Sequence, residues 1–289
     1  VTKVSTPTTD STPSYTFSSD EAGTISYGGS CSSSTSSATA SDNITISLTN
    51  TSSGNLAEDN YTDCTVTVTD AAGNVSSSIT ISSFEVDTTA PSLVEVTAVT
   101  SPTNDQTPNY SFSSTQAGAI VYGGSCSSTD NTTAAASDNN TITFNSLNEG
   151  TYDNCTITVR DDALNSAVTL NISSFIIDTT APTVTSTSPS NSDNITSPSS
   201  SISVTFSETM DNISTNTNTS CDKTLQLSSN NFGSCIQMSS STPSSSDNRT
   251  FTLAPSDNLT FDTTYKIKVT TSARDLAGNN LASDNTTAT

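Results

Sequence analysis

The chain has 289 residues, 28 of them acidic and 7 basic, and it contains no His. Its net charge of −21 would repel nucleic acid and anionic membranes, so neither is expected as a partner. The lack of His excludes a Ser-His-Asp triad and imidazole zinc ligands. No run of about 18 apolar residues is present, so direct membrane insertion is not predicted. The opening "VTKVSTP" contains no Met and no signal peptide, which indicates a segment of a longer or processed protein.

Most of the chain up to residue 182 repeats itself. "TPTTDSTPSYTFSS" at 6–19 returns as "SPTNDQTPNYSFSS" at 101–114, and "SSFEVDTTAP" at 82–91 returns as "SSFIIDTTAP" at 173–182. The remaining part differs in sequence but carries "RDLAGNN", which is similar to "TDAAGN" in the first part. Repeats of this length predict one structural unit each. We therefore predict three domains, with boundaries at 1–91, 92–182 and 183–289.

Alternating apolar residues predict the strands of the first domain, because successive side chains of a strand face opposite sides of its sheet. Seven or so short strands of this kind, without helical periodicity, predict an all-β sandwich. The residues predicted to face inward are Tyr15, Phe17, Ile25, Tyr27, Ile44, Ile46, Leu48, Cys64, Val66 and Val68.

The last strand of the first domain changes parity. Ile79 and Ile81 share one face, whereas Phe84 and Val86 fall on the other. One extra residue at Ser82–Ser83 would restore the register, which predicts a β-bulge. The corresponding residues of the second domain are Val168, Leu170, Ile172, Phe175 and Ile177.

The third domain has the same kind of alternation but a different ending. After Asn280 only "LASDNTTAT" follows, with no counterpart of "SSFEVDTT". Its closing strand is therefore expected to be missing from the sequence or supplied by a neighbouring molecule through main-chain hydrogen bonds. The residues predicted to face inward are Ile202, Val204, Phe206, Leu225, Leu227, Phe251, Leu253, Tyr265, Ile267 and Val269.

These features resemble the bacterial Ig-like tandem repeats of large secreted surface and adhesin-type proteins. The motifs that carry the resemblance are "DTTAP" at both junctions and the turns Asp70–Asn74 and Asp275–Asn279. The third domain is similar to the Ig-like domain of S-layer and other envelope proteins, through "SISVTFSETMD" at 201–211 and "TTYKIKVTTSARDLAGN" at 263–279. The resemblance implies three tandem Ig-like β-sandwich domains in an elongated array.

Six Cys residues fall two to a predicted domain: Cys31 and Cys64, Cys126 and Cys155, and Cys221 and Cys235. The first two pairs occupy matching places in the repeat, and no C-x-x-C spacing favours metal or redox chemistry. We predict three disulfides, each stabilising its domain by about 2–4 kcal/mol. Such bonds persist outside the reducing cytosol, which predicts a secreted protein at the extracellular cell surface.

Asp-Asn pairs are far more frequent than chance predicts. In every pair, Ser or Thr stands two residues after the Asn, which completes the N-x-S/T pattern. Asp and Asn favour turns that open a strand, which is one interpretation. N-glycosylation of surface Asn is a second, and calcium binding is a third. The glycosylation candidates are Asn43, Asn60, Asn131, Asn139, Asn154, Asn194, Asn212, Asn248, Asn258 and Asn285.

Calcium at the domain junctions is a separate hypothesis, since hard cations prefer oxygen ligands and related adhesin repeats use junction ions. The alternative is that these Asp residues only cap turns. One candidate cluster comprises Asp70, Asn74, Asp87 and Asp105. The equivalent cluster comprises Asp161, Asn165 and Asp178. No other cofactor is expected.

Three classes of function follow from the sequence. The leading one is a non-enzymatic structural segment of a surface fibre, filament or adhesin stalk, whose partners are neighbouring Ig-like domains, identical subunits or covalent glycans. Pro in the short "DTTAP" junctions limits their freedom. A carbohydrate- or protein-binding adhesin module is the alternative. An enzyme is not expected, because the repeats share no carboxylate pair suited to glycosidase chemistry.

Overall fold

The computed structural model describes residues 2–190, 197–215 and 217–288, and these residues form strands and loops without a helix. No helix there is long and apolar enough to cross a membrane. The strands in chain order are β1 (Ser14–Ser19), β2 (Gly23–Gly28), β3 (Ser37–Ala38), β4 (Asp42–Ser47), β5 (Asp59–Tyr61), β6 (Thr65–Asp70), β7 (Ile79–Thr80), β8 (Phe84–Val86), β9 (Leu93–Thr97), β10 (Asn109–Ser114), β11 (Gly118–Gly123), β12 (Thr133–Ala134), β13 (Asp138–Thr143), β14 (Gly150–Tyr152), β15 (Thr156–Arg160), β16 (Leu170–Asn171), β17 (Phe175–Ile177), β18 (Val184–Ser188), β19 (Ile202–Phe206), β20 (Leu225–Ser228), β21 (Thr250–Leu253), β22 (Lys266–Val269) and β23 (Asn285–Ala288).

The chain divides into two compact units. Unit 1 consists of Val1–Ala98, Asn109–Phe144 and Asn154–Ile172. Unit 2 consists of Val99–Pro108, Asn145–Asp153 and Ser173–Thr289. The predicted second domain, 92–182, contributes to both units, and the division into three domains stays a prediction.

In unit 1, the residues up to Val86 form three antiparallel sheets around one core. β1 pairs with β4, β5 pairs with β8, and four strands lie in the order β3-β2-β6-β7. Tyr15, Ile46, Val66 and Phe84, which come from all three sheets, belong to one buried cluster. The alternation predicted from the sequence is confirmed here, because the predicted inward residues are buried apart from Tyr27, which packs against the cluster.

The parity change near the end of this part is not a bulge. β7 pairs with β6, whereas β8 pairs with β5 in a different sheet. The chain therefore crosses between sheets at Ser82–Ser83, and such a crossing changes the inward-facing parity just as a bulge would. Ile81 is buried at the crossing, but Ile79 is 37% exposed. In the second copy, Leu170 is the equivalent of Ile79 and is half-buried, whereas Val168 is 89% exposed and does not face the core as predicted.

The second copy of the repeat has strands at the corresponding places. In unit 1 these strands form the sheets β13-β10-β9 and β12-β11-β15-β16. In unit 2, β14 pairs with β17. β10 differs from β1 in one respect: it has a strand partner on each side, β13 and β9.

The last part of unit 2 contains the sheets β18-β19-β21 and β20-β22-β23. Ile202, Phe251, Leu225 and Ile267 from the two sheets share one buried cluster. The residues predicted to face inward in this part are all buried. The expectation that the closing strand is absent or comes from a neighbour is corrected, because β23 pairs antiparallel with β22 within the same chain.

All six Cys residues form the three predicted disulfides. Their Cα–Cα distances are 5.2 Å for Cys31–Cys64, 5.2 Å for Cys126–Cys155 and 5.3 Å for Cys221–Cys235. The first two lie in unit 1 and the third lies in unit 2. Each closes a loop of the unfolded chain, which is the main way in which a disulfide stabilises a fold.

Candidate functional site

Three turns share one hydrogen-bond pattern. They are turn 1 (Asp70–Asn74), turn 2 (Asp161–Asn165) and turn 3 (Asp275–Asn279). In each, the Asp Oδ1 accepts a bond from the backbone N–H of the Asn at 2.8 Å. The Asp Oδ2 accepts one from the Asn Nδ2, at 2.8, 3.0 and 2.9 Å respectively. Asp favours such turns because its side chain can replace a backbone acceptor.

The fourth position of each turn has a left-handed backbone. Gly73 has φ of 90° and Gly278 has φ of 98°, which Gly adopts without steric cost. Turn 2 has Leu164 there, with φ of 75°. A Leu in this conformation is strained, yet the hydrogen bonds of turn 2 are the same as those of the other two turns. The carboxylate and the Asn amide therefore define the turn, and Gly is not required.

The two "DTTAP" segments form a second recurring structure, the linker motif, at 87–91 and 178–182. In the first copy, the Asp87 Oδ1 accepts a hydrogen bond from the Thr89 N–H at 3.0 Å. The hydroxyls of Thr88 and Thr89 donate to Glu58 Oε2 at 3.1 and 2.6 Å. These bonds, that of Thr89 first, lower the pKa of Glu58. The first copy is therefore fixed at its Asp and at both Thr side chains.

The second linker motif is built in the same way within unit 2. The Asp178 Oδ1 accepts from the Thr180 N–H at 3.0 Å. The hydroxyls of Thr179 and Thr180 donate to Glu149 Oε2 at 3.0 and 2.7 Å. These bonds, that of Thr180 first, lower the pKa of Glu149. Repetition of the whole arrangement, including the Glu, indicates a structural purpose for the motif.

A turn contacts each linker motif through a main-chain oxygen. In unit 1, the Asn165 Nδ2 donates to the Asp87 carbonyl at 3.0 Å. In unit 2, the Asn279 Nδ2 donates to the Asp178 carbonyl at 2.8 Å. The same nitrogen also donates to the Asp of its own turn, so both amide hydrogens are used. Each Asn therefore joins its own turn to the backbone of a linker motif.

The turns that contact a linker motif are buried. Asp161 is 6% exposed and Asp275 is 1% exposed, and Ala163 and Ala277 are also buried. Such a buried carboxylate has to be hydrogen-bonded, because leaving it unpaired would be costly. In turn 1, by contrast, Asn74 and its neighbours from 71 to 80 are all exposed.

The predicted calcium clusters group these residues differently. The sequence placed Asp87 with Asp70, Asn74 and Asp105, but the turn residue that contacts Asp87 is Asn165. Likewise Asp178 was placed with Asp161 and Asn165, but it is contacted by Asn279. Turns 2 and 3 each contact the linker motif that precedes their own part of the chain, because antiparallel strands return the chain to the end at which it began. Asp105 caps a local turn, in which its Oδ1 accepts from the Thr107 N–H at 2.9 Å.

One group of three carboxylates lies close together among the described residues, and it is in unit 2. The carboxylate oxygens of Asp178, Glu208 and Asp275 lie within 4.8 Å of one another. Burial, followed by the charges of Asp178 and Asp275, raises the pKa of Glu208. Sequence reasoning missed Glu208, although it lies in the "SETMD" motif. Calcium binding stays a prediction from the sequence.

Three Asp-Asn pairs are the first two residues of a strand, in β4, β5 and β13. Asp42, Asp59 and Asp138 each accept a hydrogen bond at Oδ1 from the backbone N–H of the Asn that follows, at 2.8, 2.7 and 2.7 Å. The left-handed residue, however, is the preceding Ser at Ser41 and Ser137. The Asp thus starts the strand, while the Ser makes the turn.

The glycosylation candidates differ in what their side chains do. Asn194 lies outside the described residues, and the other nine are exposed or half-buried. Asn212 has a structural role: its Nδ2 donates to the Ser272 carbonyl at 3.0 Å, and its Oδ1 accepts from the Arg274 N–H at 2.8 Å. The Asn154 Oδ1 accepts from the Ser125 N–H at 3.1 Å. Glycosylation stays a prediction at these positions.

The second linker motif, turn 3 and the Cys221–Cys235 disulfide all fall in one stretch of sequence that is similar to a known family. Residues 178–289 match the family model of the bacterial Ig-like domain. No curated protein matches the chain. The Ig-like match begins at Asp178 and includes Asn279, so both partners of the linker contact in unit 2 lie within it.

Proposed function

We propose that the chain is a non-enzymatic structural segment of an extracellular surface fibre, filament or adhesin stalk, built from tandem Ig-like domains. Three features support this function: the Ig-like match of 178–289, three disulfides, and a linker contact that occurs twice. Disulfides are stable in oxidising compartments, which supports a location outside the cytosol. No step of this function needs a catalytic group.

The observation that carries the proposal is the repeated contact between a turn and a linker motif. A flexible connection would leave the linker backbone to water, whereas here Asn165 and Asn279 each bind an Asp carbonyl. The Glu–Thr hydrogen bonds fix the same segment from the preceding side. Consecutive domains held in this way keep a limited range of directions, which suits a stalk that has to maintain its reach.

The remaining chemistry agrees with a surface role. A net charge of −21 discourages non-specific self-association. The expected partners of the chain are neighbouring Ig-like domains or identical subunits. The Asp-Asn sites are expected to carry N-glycans, which would shield exposed sheet edges. In this proposal the third predicted domain has the same structural role as the Ig-like domain of S-layer and other envelope proteins.

The test combines covalent state and shape. Intact-mass measurement of native material, with and without reduction, should give three disulfides and extra mass on Asp-Asn peptides. Small-angle scattering of the full chain should give an extended particle, and the double variant Asn165→Ala, Asn279→Ala should broaden its distance distribution. The double variant Asn55→Ala, Asn280→Ala, which changes one exposed Asn in each unit away from the linker contacts, is the matched control. Free thiols in native material, or a rounded particle, would reject the proposal.

The alternative, a carbohydrate- or protein-binding adhesin module with calcium at its junctions, stays a prediction from the sequence. It would be favoured by specific, saturable binding of the full chain on a glycan array. A calcium-dependent rise in melting temperature would support its second part. Neither outcome is expected from a spacer that only maintains distance.

A further inference from the structure

Turn 1 has the internal hydrogen bonds of turns 2 and 3, but it lacks their linker contact. The Asn74 Nδ2 donates to Asp70 Oδ2 at 2.8 Å, and it has no second acceptor among the described residues. Its equivalents, Asn165 and Asn279, use their second hydrogen on an Asp carbonyl. Ala72 is exposed, whereas its equivalents in turns 2 and 3 are buried. Turn 1 is thus preformed and open.

The edge of β1 is open in the same way. β10 pairs with β9 through Phe112, Ser113 and Ser114, which face Glu95, Val94 and Leu93 in that order. β1 is the equivalent of β10 and pairs with β4. On the other side of β1, within the described part of the chain, only the bridge between Thr2 and Thr16 is present. The backbone of 17–19 therefore lacks the strand that covers 112–114.

In the second copy of the repeat, one short stretch of sequence contacts both the turn and the strand edge that are open in the first copy. It is "DTTAPSLVE" at 87–95. Its first residue gives its carbonyl to Asn165, and its last three residues pair with β10. All of these contacts lie within unit 1. Turn 1 and the equivalent edge of β1 therefore lack one and the same segment.

We propose that turn 1 and the free edge of β1 form the docking surface for a preceding Ig-like domain of the same polypeptide, one that ends in a linker motif followed by a short strand. This inference rests on the proposed tandem function and names the partner of its first domain. The incoming Asp carbonyl accepts the free hydrogen of Asn74. The following strand adds to β1 through main-chain hydrogen bonds, as β9 adds to β10.

A glycan is the competing occupant. Asn74-Val75-Ser76 fits the N-x-S/T pattern, whereas Asn165-Ser166-Ala167 and Asn279-Asn280-Leu281 do not. A sugar on the Asn74 Nδ2 would replace the hydrogen needed for docking and would occupy the space above turn 1. Glycan mass on the Asn74 peptide of native material would therefore overturn the proposal.

The test extends the full chain by one domain. A second copy of residues 1–95 is joined to Val1, so that "DTTAPSLVE" precedes Val1 as it precedes Val96. The copy carries Thr16→Ser and Ala72→Ser, which make its peptides distinguishable by mass. Hydrogen exchange of the original peptides covering 14–19 and 70–77 should slow at least about tenfold, towards the rates of 109–114 and 161–168. Unchanged exchange would overturn the proposal.

Two matched variants isolate the contacts. In the extended chain, Asn74→Asp removes the donor and should bring exchange at 70–77 to the rate of the same variant of the unextended chain, while leaving 161–168 as before. An extension in which "DTTAPSLVE" is replaced by Gly and Ser should give no protection at either place. Equal protection by that extension would show that the sequence of the linker is irrelevant, and the proposal would then be wrong.

A second copy of the chain is a different source of the same segment, and sedimentation of the unextended chain distinguishes it. Self-association that Asn74→Asp abolishes would overturn the in-chain assignment. These measurements do not depend on the surface role itself. Failed docking in a chain that keeps its disulfides and extended particle rejects only this inference, whereas free thiols reject the proposed function whatever the exchange result.

Discussion

Turn 1 and turn 3 have nearly the same sequence and different surroundings. "DAAGN" and "DLAGN" make the same bonds from the Asn to the two Asp oxygens. Asp70 is nevertheless half-buried, and Asp275 is almost fully buried. In turn 3, the Ala277 carbonyl accepts from the Asn104 N–H at 3.0 Å, and Asn279 donates to Asp178. Local hydrogen bonds therefore determine the turn, and the neighbouring linker determines its burial.

The largest effect should come from removing the carboxylate at the two turns. Asp275→Ala would leave the N–H groups of Gly278 and Asn279 without their acceptor in a buried place, at a cost of about 2–3 kcal/mol in the free energy of unfolding. Asp70→Ala should cost clearly less, because water can replace the carboxylate. Pulse proteolysis in urea, with identification of the cleaved part by mass spectrometry, measures both. Equal losses would contradict the role of burial.

The next effect concerns the linker contact alone. Asn279→Ala removes the bonds to Asp178 and Asp275 and should cost about 1–2 kcal/mol, since it leaves the carbonyl of half-buried Asp178 without its donor. Asn74→Ala removes only an exposed internal bond and should cost less than about 0.5 kcal/mol. The difference between the two urea midpoints isolates the contact. Identical midpoints would mean that the linker bond contributes nothing to stability.

Replacing the glycine should change the free energy of unfolding by the same amount in turn 1 and in turn 3. Gly73→Ala and Gly278→Ala each force a Cβ into a left-handed conformation, which costs about 1 kcal/mol. Neither new Cβ meets an atom closer than 3.5 Å, so steric clash adds nothing. The reciprocal change, Leu164→Gly, should relieve strain and stabilise unit 1 by up to about 1 kcal/mol. A loss of stability in the Leu164 variant would show that its exposed side chain is needed.

The smallest effect is a pH dependence at Glu208. The fold raises the pKa of Glu208, so the folded protein is favoured by this group only below the pKa that Glu208 has in the unfolded chain. That contribution to the free energy of unfolding is lost as the pH rises through the pKa of the folded state. Glu208→Gln should therefore stabilise unit 2 at pH 7, by less than about 1 kcal/mol because solvent screens the partly exposed group. The gain should vanish near pH 4. Melting curves in EDTA, which removes divalent cations, measure this, and a gain independent of pH would contradict it.

The sequence was sufficient to predict what depends on local alternation and on repetition. Tyr15, Phe17 and Ile46 face inward as their spacing indicates, and the Cys pairs follow from matching places in the repeat. The closing strand β23 was missed because "NTTA" has no apolar alternation, and its place depends on backbone pairing with β22. The crossing at Ser82–Ser83 was missed because a bulge produces the same parity.

The linker contact could not be predicted from residue types. Its acceptor is the main-chain oxygen of Asp87 or Asp178, and every residue has such an oxygen, so no side chain marks it. The repeated "DTTAP" indicated that the segment matters, but it suggested carboxylate ligands instead of a carbonyl. Glu208 was missed for a related reason, since it stands alone in the sequence and meets Asp178 and Asp275 only through the fold.

A linker contact whose acceptor is a main-chain oxygen requires little of the sequence that it binds. The Asn of a turn requires only that the preceding chain ends with one carbonyl in the right place, and the side chain at that position is free to serve its own local turn. In the proposed tandem array, domains with unlike cores can therefore follow one another, because the sequences before and after residue 182 differ. Gene duplication or exchange could lengthen or reorder such an array without a new interface having to evolve at each step.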